Sequence, residues 1–502
     1  MRARPVSIEG VGLLVVVATA VIFAGLGLWQ TGQKPVSLEN FVVSRNQVGT
    51  GMALATIVAS AMGAWILFSP PQIGATSGIA GIAGYCIGQA VPSALFAVMG
   101  TRIRRLMPHG HALPEYVLHR FGGLMALLTV GVVLFYLGVY LVAELTAIAK
   151  AVQLMAGVPL WETALVVIGA VFAYTTVGGL GATIFTDAIQ FAVIVPLLLV
   201  IFVVAVVGLG GWGAAIAPVV QAAPDLLTLN NGPGLRFGAT LVIAVIAAEM
   251  FNQTNWQRVY ACRDDQVVRR SFLGSFLIIF PILFLAGLLG ILGMHFGFND
   301  DRTFFSLIQA LELPMALTVG VLVLVLALVM SSLDTLINGI ASVLASDILR
   351  IFPGISSRDT LRLARLIMLG MALPVVAIAA QGYDVLYLFL LADLVCAGAL
   401  FPVLLGLYSR HLTGGIALVS TLVAIATGAL FFPKPDFSPW NGLPFAGDLL
   451  VSFAAPVVVS VVLSLGGIGL MAALGRTQSF NFHKLENDIR AYGETEIPTS
   501  GH

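Results

Sequence analysis

Charge is scarce in this chain. Only 10% of its 502 residues are charged, 24 basic against 24 acidic, where soluble domains average about 25%. A net charge of zero selects no partner; a nucleic-acid partner is not expected, and the oligomeric state is left open. Cysteine is scarce as well. Cys86, Cys262 and Cys396 sit in or near apolar stretches and offer neither a metal spacing nor a disulfide framework. The seven His are scattered, with His109 and His111 among the Arg residues of one loop. No phosphate loop, nucleophile elbow or His/Cys cluster is present, so an enzyme has no motif to stand on. Long polar stretches are missing too: 31–47, 102–122, 211–236, 298–313, 433–446 and 476–502 are the longest, and none could fold as a separate domain.

What is abundant is apolar surface. The chain is 59% hydrophobic with a mean hydropathy of +1.01. A spanning helix needs about 20 apolar residues. Thirteen segments qualify: 7–30, 48–77, 78–101, 123–149, 158–178, 182–210, 237–260, 271–297, 314–347, 361–382, 384–407, 412–432 and 447–475. The first is long and has no small-residue cleavage site before 31–47, so it reads as a span rather than a signal peptide. An all-α integral membrane protein of about 13 transmembrane helices follows, multi-pass in the cell (inner or plasma) membrane, with the lipid bilayer as an obligatory partner. With the N-terminus outside, eighteen of the Lys and Arg fall in inside loops, Arg258 among them, and six outside; the positive-inside rule therefore orients the chain N-out and C-in.

The segment 314–347 carries polar residues Ser331, Thr335, Asn338, Ser342 and Ser346 at steps of three and four, flanked by Ser332 and Asp334. One helical face holds them. Lipid cannot satisfy such a stripe, so it faces protein, water or an ion. Paired hydroxyls suit Na⁺, a hard cation that takes oxygen ligands; glue between helices is the other reading. Two other spans look interrupted. In 48–77, Pro70 and Pro71 each lack a backbone donor and are expected to end or kink the helix. In 237–260, the run Glu249, Asn252, Gln253, Thr254, Asn255 and Gln257 reads as an unwound segment lining a cavity. The interruptions lie five spans apart, the offset of two inverted repeats whose broken helices meet at a binding site. That divides the chain into 1–47 (first span and loop), 48–210 (first repeat), 237–407 (second repeat), 412–475 (two further spans) and 476–502 (tail).

The ionisable residues found inside the spans are all acidic: Glu144, Asp187, Glu249, Asp334 and Asp393. Each needs a bound cation, a proton or a hydrogen-bonding neighbour. Tyr136, Tyr140 and Glu144 share one helical face, which is either a cavity wall or ordinary packing.

Four phrases carry a resemblance. AYTTVGGLGATIFTDAIQF at 173–191, ALPEYVLHRFG at 112–122, NQTNWQRVYACRD at 252–264 and VMSSLDTLINGIASVLASDI at 329–348 resemble, in order, motifs of the sodium:solute symporter family, the group containing the bacterial proline and galactose symporters. The resemblance implies a leucine-transporter-type inverted-repeat fold and a coupling ion, Na⁺. Its ligands would be the carbonyls of Ala59, Met62 and Leu328 and the hydroxyls of Ser331 and Ser332. Asp187 resembles the carboxylate on the ion exit path. Ala61 stands where the proline symporter has an Asp, which argues against proline. Leu328 stands where a second sodium would want a hydroxyl, which implies one ion per solute. No Arg occupies the 123–149 span, which argues against the sialic acid branch. The stretch SRNQVGTGMALATIVASAMGAWILF is similar to the urea and polyamine permease branch. Substrate-binding candidates are Gln72, Gln89, Glu144, Asn252, Gln253 and Tyr387, a set suited to a small neutral or zwitterionic solute. The expected function is Na⁺-coupled import of such a solute by alternating access. The rivals are proton coupling through Asp187 or Asp334, a channel, and a sensor built on the same body.

Overall fold

The computed structural model describes residues 11–32, 37–352 and 354–492. Among these every regular element is helical, and the sole β-type pairing is a parallel bridge between Val48 and Cys262. In chain order the α-helices are α1 (Gly12–Thr31), α2 (Leu38–Val42), α3 (Thr50–Ala61), α4 (Ser69–Leu106), α5 (Leu113–Phe121), α6 (Gly123–Ala156), α7 (Leu160–Gly208), α8 (Trp212–Ala222), α9 (Gly232–Phe251), α10 (Gln253–Ala261), α11 (Asp265–Gly293), α12 (Thr303–Ala310), α13 (Met315–Ile351), α14 (Ser357–Ala379), α15 (Val385–Leu405), α16 (Gly414–Phe431), α17 (Leu449–Ala473) and α18 (His483–Asp488). Side chains of Asp264, Ser356, Asp384, Thr413 and Asp448 accept the first free N–H groups of α11, α14, α15, α16 and α17, satisfying donors that have no partner within the helix.

Among the described residues eleven helices are long and apolar enough to cross a membrane, fewer than the thirteen apolar segments. The reason is geometric. α7 has 49 residues, about 74 Å at 1.5 Å per residue, against about 30 Å of hydrocarbon. Within it Gly179 stands at φ 58°, ψ −156°, and within α4 Gly78 stands at φ 65°, ψ −162°. Both conformations belong to glycine, and a Cβ on Gly179 would lie 2.7 Å from the Cα of Phe41. Each run is therefore two helices joined at a glycine. The joints fall where the hydropathy pattern separates 48–77 from 78–101 and 158–178 from 182–210.

The two interruptions are real: the first lies before the proline pair, and the second falls inside the polar run 249–257 but is confined to one residue. α3 ends at Ala61, Met62 is extended (φ −109°, ψ 93°), a 3-10 turn covers Ala64–Leu67, and α4 begins at Ser69. Pro70 and Pro71 thus start a helix. In a first turn the missing N–H costs nothing and the fixed φ is already helical. The second interruption is a single residue: Asn252 (φ −66°, ψ 102°) separates α9 from α10. The polar run after it stays helical and is buried from Gln253 to Ala261. α3 and the 64–67 turn pack on α13, which also lies against α7, α6 and α10, so both breaks converge on the polar stripe.

The 476–502 segment is not a bare tail over its described part. α18 packs on α5 and α4, with Leu485 and Ile489 buried. Phe480 lies 4.4 Å from the Arg120 guanidinium, and Tyr492 stacks on His111 at 3.7 Å between ring centres. Residues 493–502 lie outside the described residues. His111 is fully buried between Glu39 of α2 (2.8 Å) and Glu115 of α5 (3.2 Å). Burial pulls its pKa down, but the Glu115 and Glu39 carboxylates outweigh this and hold it above the ordinary 6.5. Burial raises Glu39 while His111 and Arg45 lower it further, to about 2. The raised His111 contributes stability that is full below pH 6.5 and lost as pH rises through its folded pKa; the depressed Glu39 contribution is lost only as pH falls toward 2. Thermal stability of the purified protein should therefore decline as pH rises above 6.5. His111→Gln should flatten that decline, and an unchanged slope in the variant would refute the assignment.

Candidate functional site

At the centre of the bundle Asp187 of α7 is fully buried and ties four helices together. Ser331 of α13 donates to its Oδ1 at 2.5 Å, Thr56 of α3 donates to its Oδ2 at 2.5 Å, and Arg258 of α10 donates to Oδ2 at 2.9 Å. Arg258 also donates to Thr56 (3.1 Å), to Thr335 (2.8 Å) and to the Thr254 carbonyl (3.2 Å). Arg258 is 1% exposed, which corrects two readings. It is not an inside-loop charge, and the ionisable residues of the core are not all acidic. Its burial is tolerable because every bond direction of the guanidinium used here ends on an acceptor.

The stripe on α13 faces protein throughout. Thr335 meets Arg258; Asn338 donates to Thr183 of α7; Ser342 accepts from Gln253 of α10 at 3.1 Å. Asp334, beside the stripe, accepts from Tyr174 (2.8 Å) and Thr186 (3.2 Å) of α7, while its Oδ1 has no partner. Ser332 differs from its neighbours: it is 1% exposed and its Oγ makes no hydrogen bond. Buried hydroxyls are rarely left so. Ala59, whose carbonyl accepts the Met62 N–H at 3.2 Å, and Met62 itself form the unwound end of α3. Leu328 lies one helical turn before Ser332 on α13.

A second polar group lies at the two breaks. Glu144 of α6 accepts the Ala64 N–H at 2.8 Å, just past the end of α3. The fit is close: a Cβ on Gly63 would lie 1.8 Å from Glu144 Oε1. Glu249, at the end of α9, accepts from Gln89 of α4 (3.3 Å), Asn252 (3.2 Å) and Asn255 (2.9 Å). Three of the sequence-predicted substrate residues, Gln89, Glu144 and Asn252, therefore sit at the breaks.

The other three do not. Gln72 is one turn into α4, beyond the break, and donates to Asp384 at 3.0 Å. Gln253 is fully buried and pins the 111–113 loop to α13, donating to the His111 carbonyl (2.9 Å) and Ser342 and accepting from Leu113 N–H (2.9 Å). Tyr387 donates to the Pro433 carbonyl at 3.3 Å and packs on Phe432 and Phe437 of the 433–446 loop. Each amide or phenol has a partner from a distant segment, and Gln72 keeps a buried Oε1 without one. Sequence reading missed Thr56, Tyr174 and Arg258. No spacing signal marked the last, whose partners Asp187, Thr56 and Thr335 come from other helices.

Comparison with known proteins agrees with this architecture. Residues 40–424 match the Sodium:solute symporter family. A spermidine transporter of Candida albicans is 27% identical, covering 91% of this chain and 90% of its own. A sodium/glucose cotransporter of Vibrio parahaemolyticus is 25% identical over 96% of both. A sodium/proline symporter of Escherichia coli is 24% identical over 72% of this chain and 75% of its own. Among solved structures, a Na⁺-coupled sialic acid symporter superposes with TM-score 0.75 at 16% identity, over 94% of this chain and 99% of that one. Mhp1, a nucleobase-cation-symport-1 family transporter, does so with TM-score 0.57 at 13% identity, over 89% and 98%. These likenesses show the leucine-transporter-type fold, and the relatives are transporters, not enzymes. The protein is a multi-pass membrane protein, and the chain belongs to the sodium:solute symporter family.

Proposed function

We propose that this chain is a symporter that couples inward flow of one Na⁺ to uptake of one small organic solute by alternating access, oriented N-out and C-in. The observation that carries the reading is Ser332: a buried hydroxyl without a partner, adjacent to Ser331 and on the helix against which the unwound end of α3 packs. Na⁺ as substrate takes the carbonyls of Ala59, Met62 and Leu328 and the two hydroxyls, an all-oxygen set suited to a hard cation. Ser331 spends its hydrogen on Asp187, so its lone pairs stay available to the ion. Ala59 likewise keeps a second lone pair. Asp187, one hydrogen bond from the ion, attracts it and offers a route off the site. The solute site lies at the breaks, with Glu144 at the first and Gln89, Glu249 and Asn252 at the second. Both substrates thus contact the same interrupted helix, which couples the binding of one to the arrangement seen by the other.

Proton coupling has one observation in its favour, the unpartnered Oδ1 of Asp334. Proteoliposomes separate the readings. Uptake from a panel of labelled solutes (proline, glucose, urea and spermidine, the substrates in the names of the relatives) should follow an imposed Na⁺ gradient and ignore a pH gradient. Uptake driven by pH without Na⁺ would replace this proposal with proton coupling.

A further inference from the structure

Asp187 has Arg258, but four other carboxylates of the core have no basic partner among the described residues; Asp334 is held by Tyr174 and Thr186 of α7, which leaves three. Glu144, Glu249 and Asp393 are 0%, 6% and 5% exposed, and none forms an ion pair among the described residues. Glu249 has three amide donors. Glu144 has one backbone N–H, and its Oε1 has no partner. Asp393 of α15 makes no hydrogen bond among the described residues. The three are not dispersed: Glu144 accepts from Ala64, next to Trp65; Glu249 accepts from Gln89, one turn after Tyr85 on α4; and Asp393 lies one turn after Phe389 on α15.

Aromatic rings surround the same place. Trp65, in the turn after α3, lies 5.4 Å from Tyr85 and 5.9 Å from Phe389 between ring centres. Phe389 meets Tyr140 edge-on at 4.8 Å. The indole N–H of Trp65, in a side chain 2% exposed, lies beside the Tyr140 hydroxyl without a hydrogen bond of normal geometry.

Ionised carboxylates at membrane depth are costly unless something positive meets them. A neutral solute supplies nothing, and a zwitterion adds a negative group where the one neighbouring guanidinium, Arg258, is already committed. Aromatic faces beside carboxylates stabilise an ammonium. Resting on the solute site proposed above, we infer that the solute is an organic cation, a protonated amine, held by Glu249 and Asp393 with Glu144 beyond and the rings of Trp65, Tyr85 and Phe389 around it. More than one carboxylate favours more than one ammonium. This departs from the neutral or zwitterionic class expected from the sequence.

The test uses the purified full chain in NaCl, reading the unfolding midpoint against 1,4-diaminobutane, butylamine and 1,4-butanediol. Ligands that bind the folded state raise it by mass action. The diamine should stabilise saturably and at lower concentration than the monoamine, and the diol should do nothing. Glu249→Gln and Asp393→Asn should each raise the half-saturating diamine concentration at least about tenfold. Both should keep the wild-type difference between NaCl and KCl, which certifies their fold and the ion site. If one variant loses that difference, the other decides. Equal stabilisation by diol and diamine, no response of the wild type to any amine, or a diamine response unaltered in both variants would overturn the inference. Loss of the NaCl effect in wild type, with the amine response intact, would overturn the sodium reading and leave this one standing.

Discussion

Replacing Arg258 by Met should destabilise the protein by about 3–5 kcal/mol, the cost of leaving a buried charge without its partner. Asp187 would keep two hydroxyl donors, Thr56 and Ser331, but lose its cationic partner Arg258. Thr56, Thr335 and the Thr254 carbonyl would lose a donor at the same time, each a further cost. Asp187→Asn alone should also be costly, because it strands the guanidinium. The double variant should regain part of the loss, since neither charge is then unpaired; the non-additivity is the signature of direct coupling. Midpoints of detergent-solubilised single and double variants measure it. If Arg258→Met is as stable as wild type, Asp187 is neutral in the fold, and its role as an electrostatic attractor for Na⁺ falls with that result.

The polar stripe on α13 was readable because helical periodicity alone places Ser331, Thr335, Asn338 and Ser342 on one face, and all four are buried against α7 and α10. The glycine joints at 78 and 179 were readable as gaps between apolar segments. Arg258 was not. A short helix rich in Gln, Asn and Arg looks like a chain leaving the membrane, and nothing in its spacing says that other helices enclose it on every side. Pro70 and Pro71 illustrate a different ambiguity: the same missing N–H that ends a helix also begins one, and only the geometry of Met62 to Phe68 decides between them. Gln72, Gln253 and Tyr387 were polar and well placed along the chain, but their partners, Asp384, the 111–113 loop and Pro433, come from distant segments. The clasp of His111 combines a local pair with Glu115 and contacts to Glu39, 72 residues away, and to Tyr492, whose backbone N–H donates to Glu39 453 residues away, and no local pattern reports the last two.

The site follows from those non-local contacts as much as from motifs. Asp187 holds Ser331 in place, Arg258 holds Asp187 and Thr56, and Ser332 alone among these hydroxyls has no protein partner. In the proposed reading, Na⁺ is the group that completes it. The most direct measurement needs no knowledge of the solute: the unfolding midpoint of the purified protein in NaCl against equimolar KCl, for wild type and Ser332→Ala. One site saturated a hundredfold above its Kd is worth about 2.7 kcal/mol of folded-state stability, an easily resolved shift. The account predicts a higher midpoint in NaCl for wild type. It predicts coincident midpoints for Ser332→Ala, with the KCl value close to that of wild type. Coincident midpoints already in the wild type, or a full Na⁺ response retained by Ser332→Ala, would contradict a sodium site at the junction of α3 and α13.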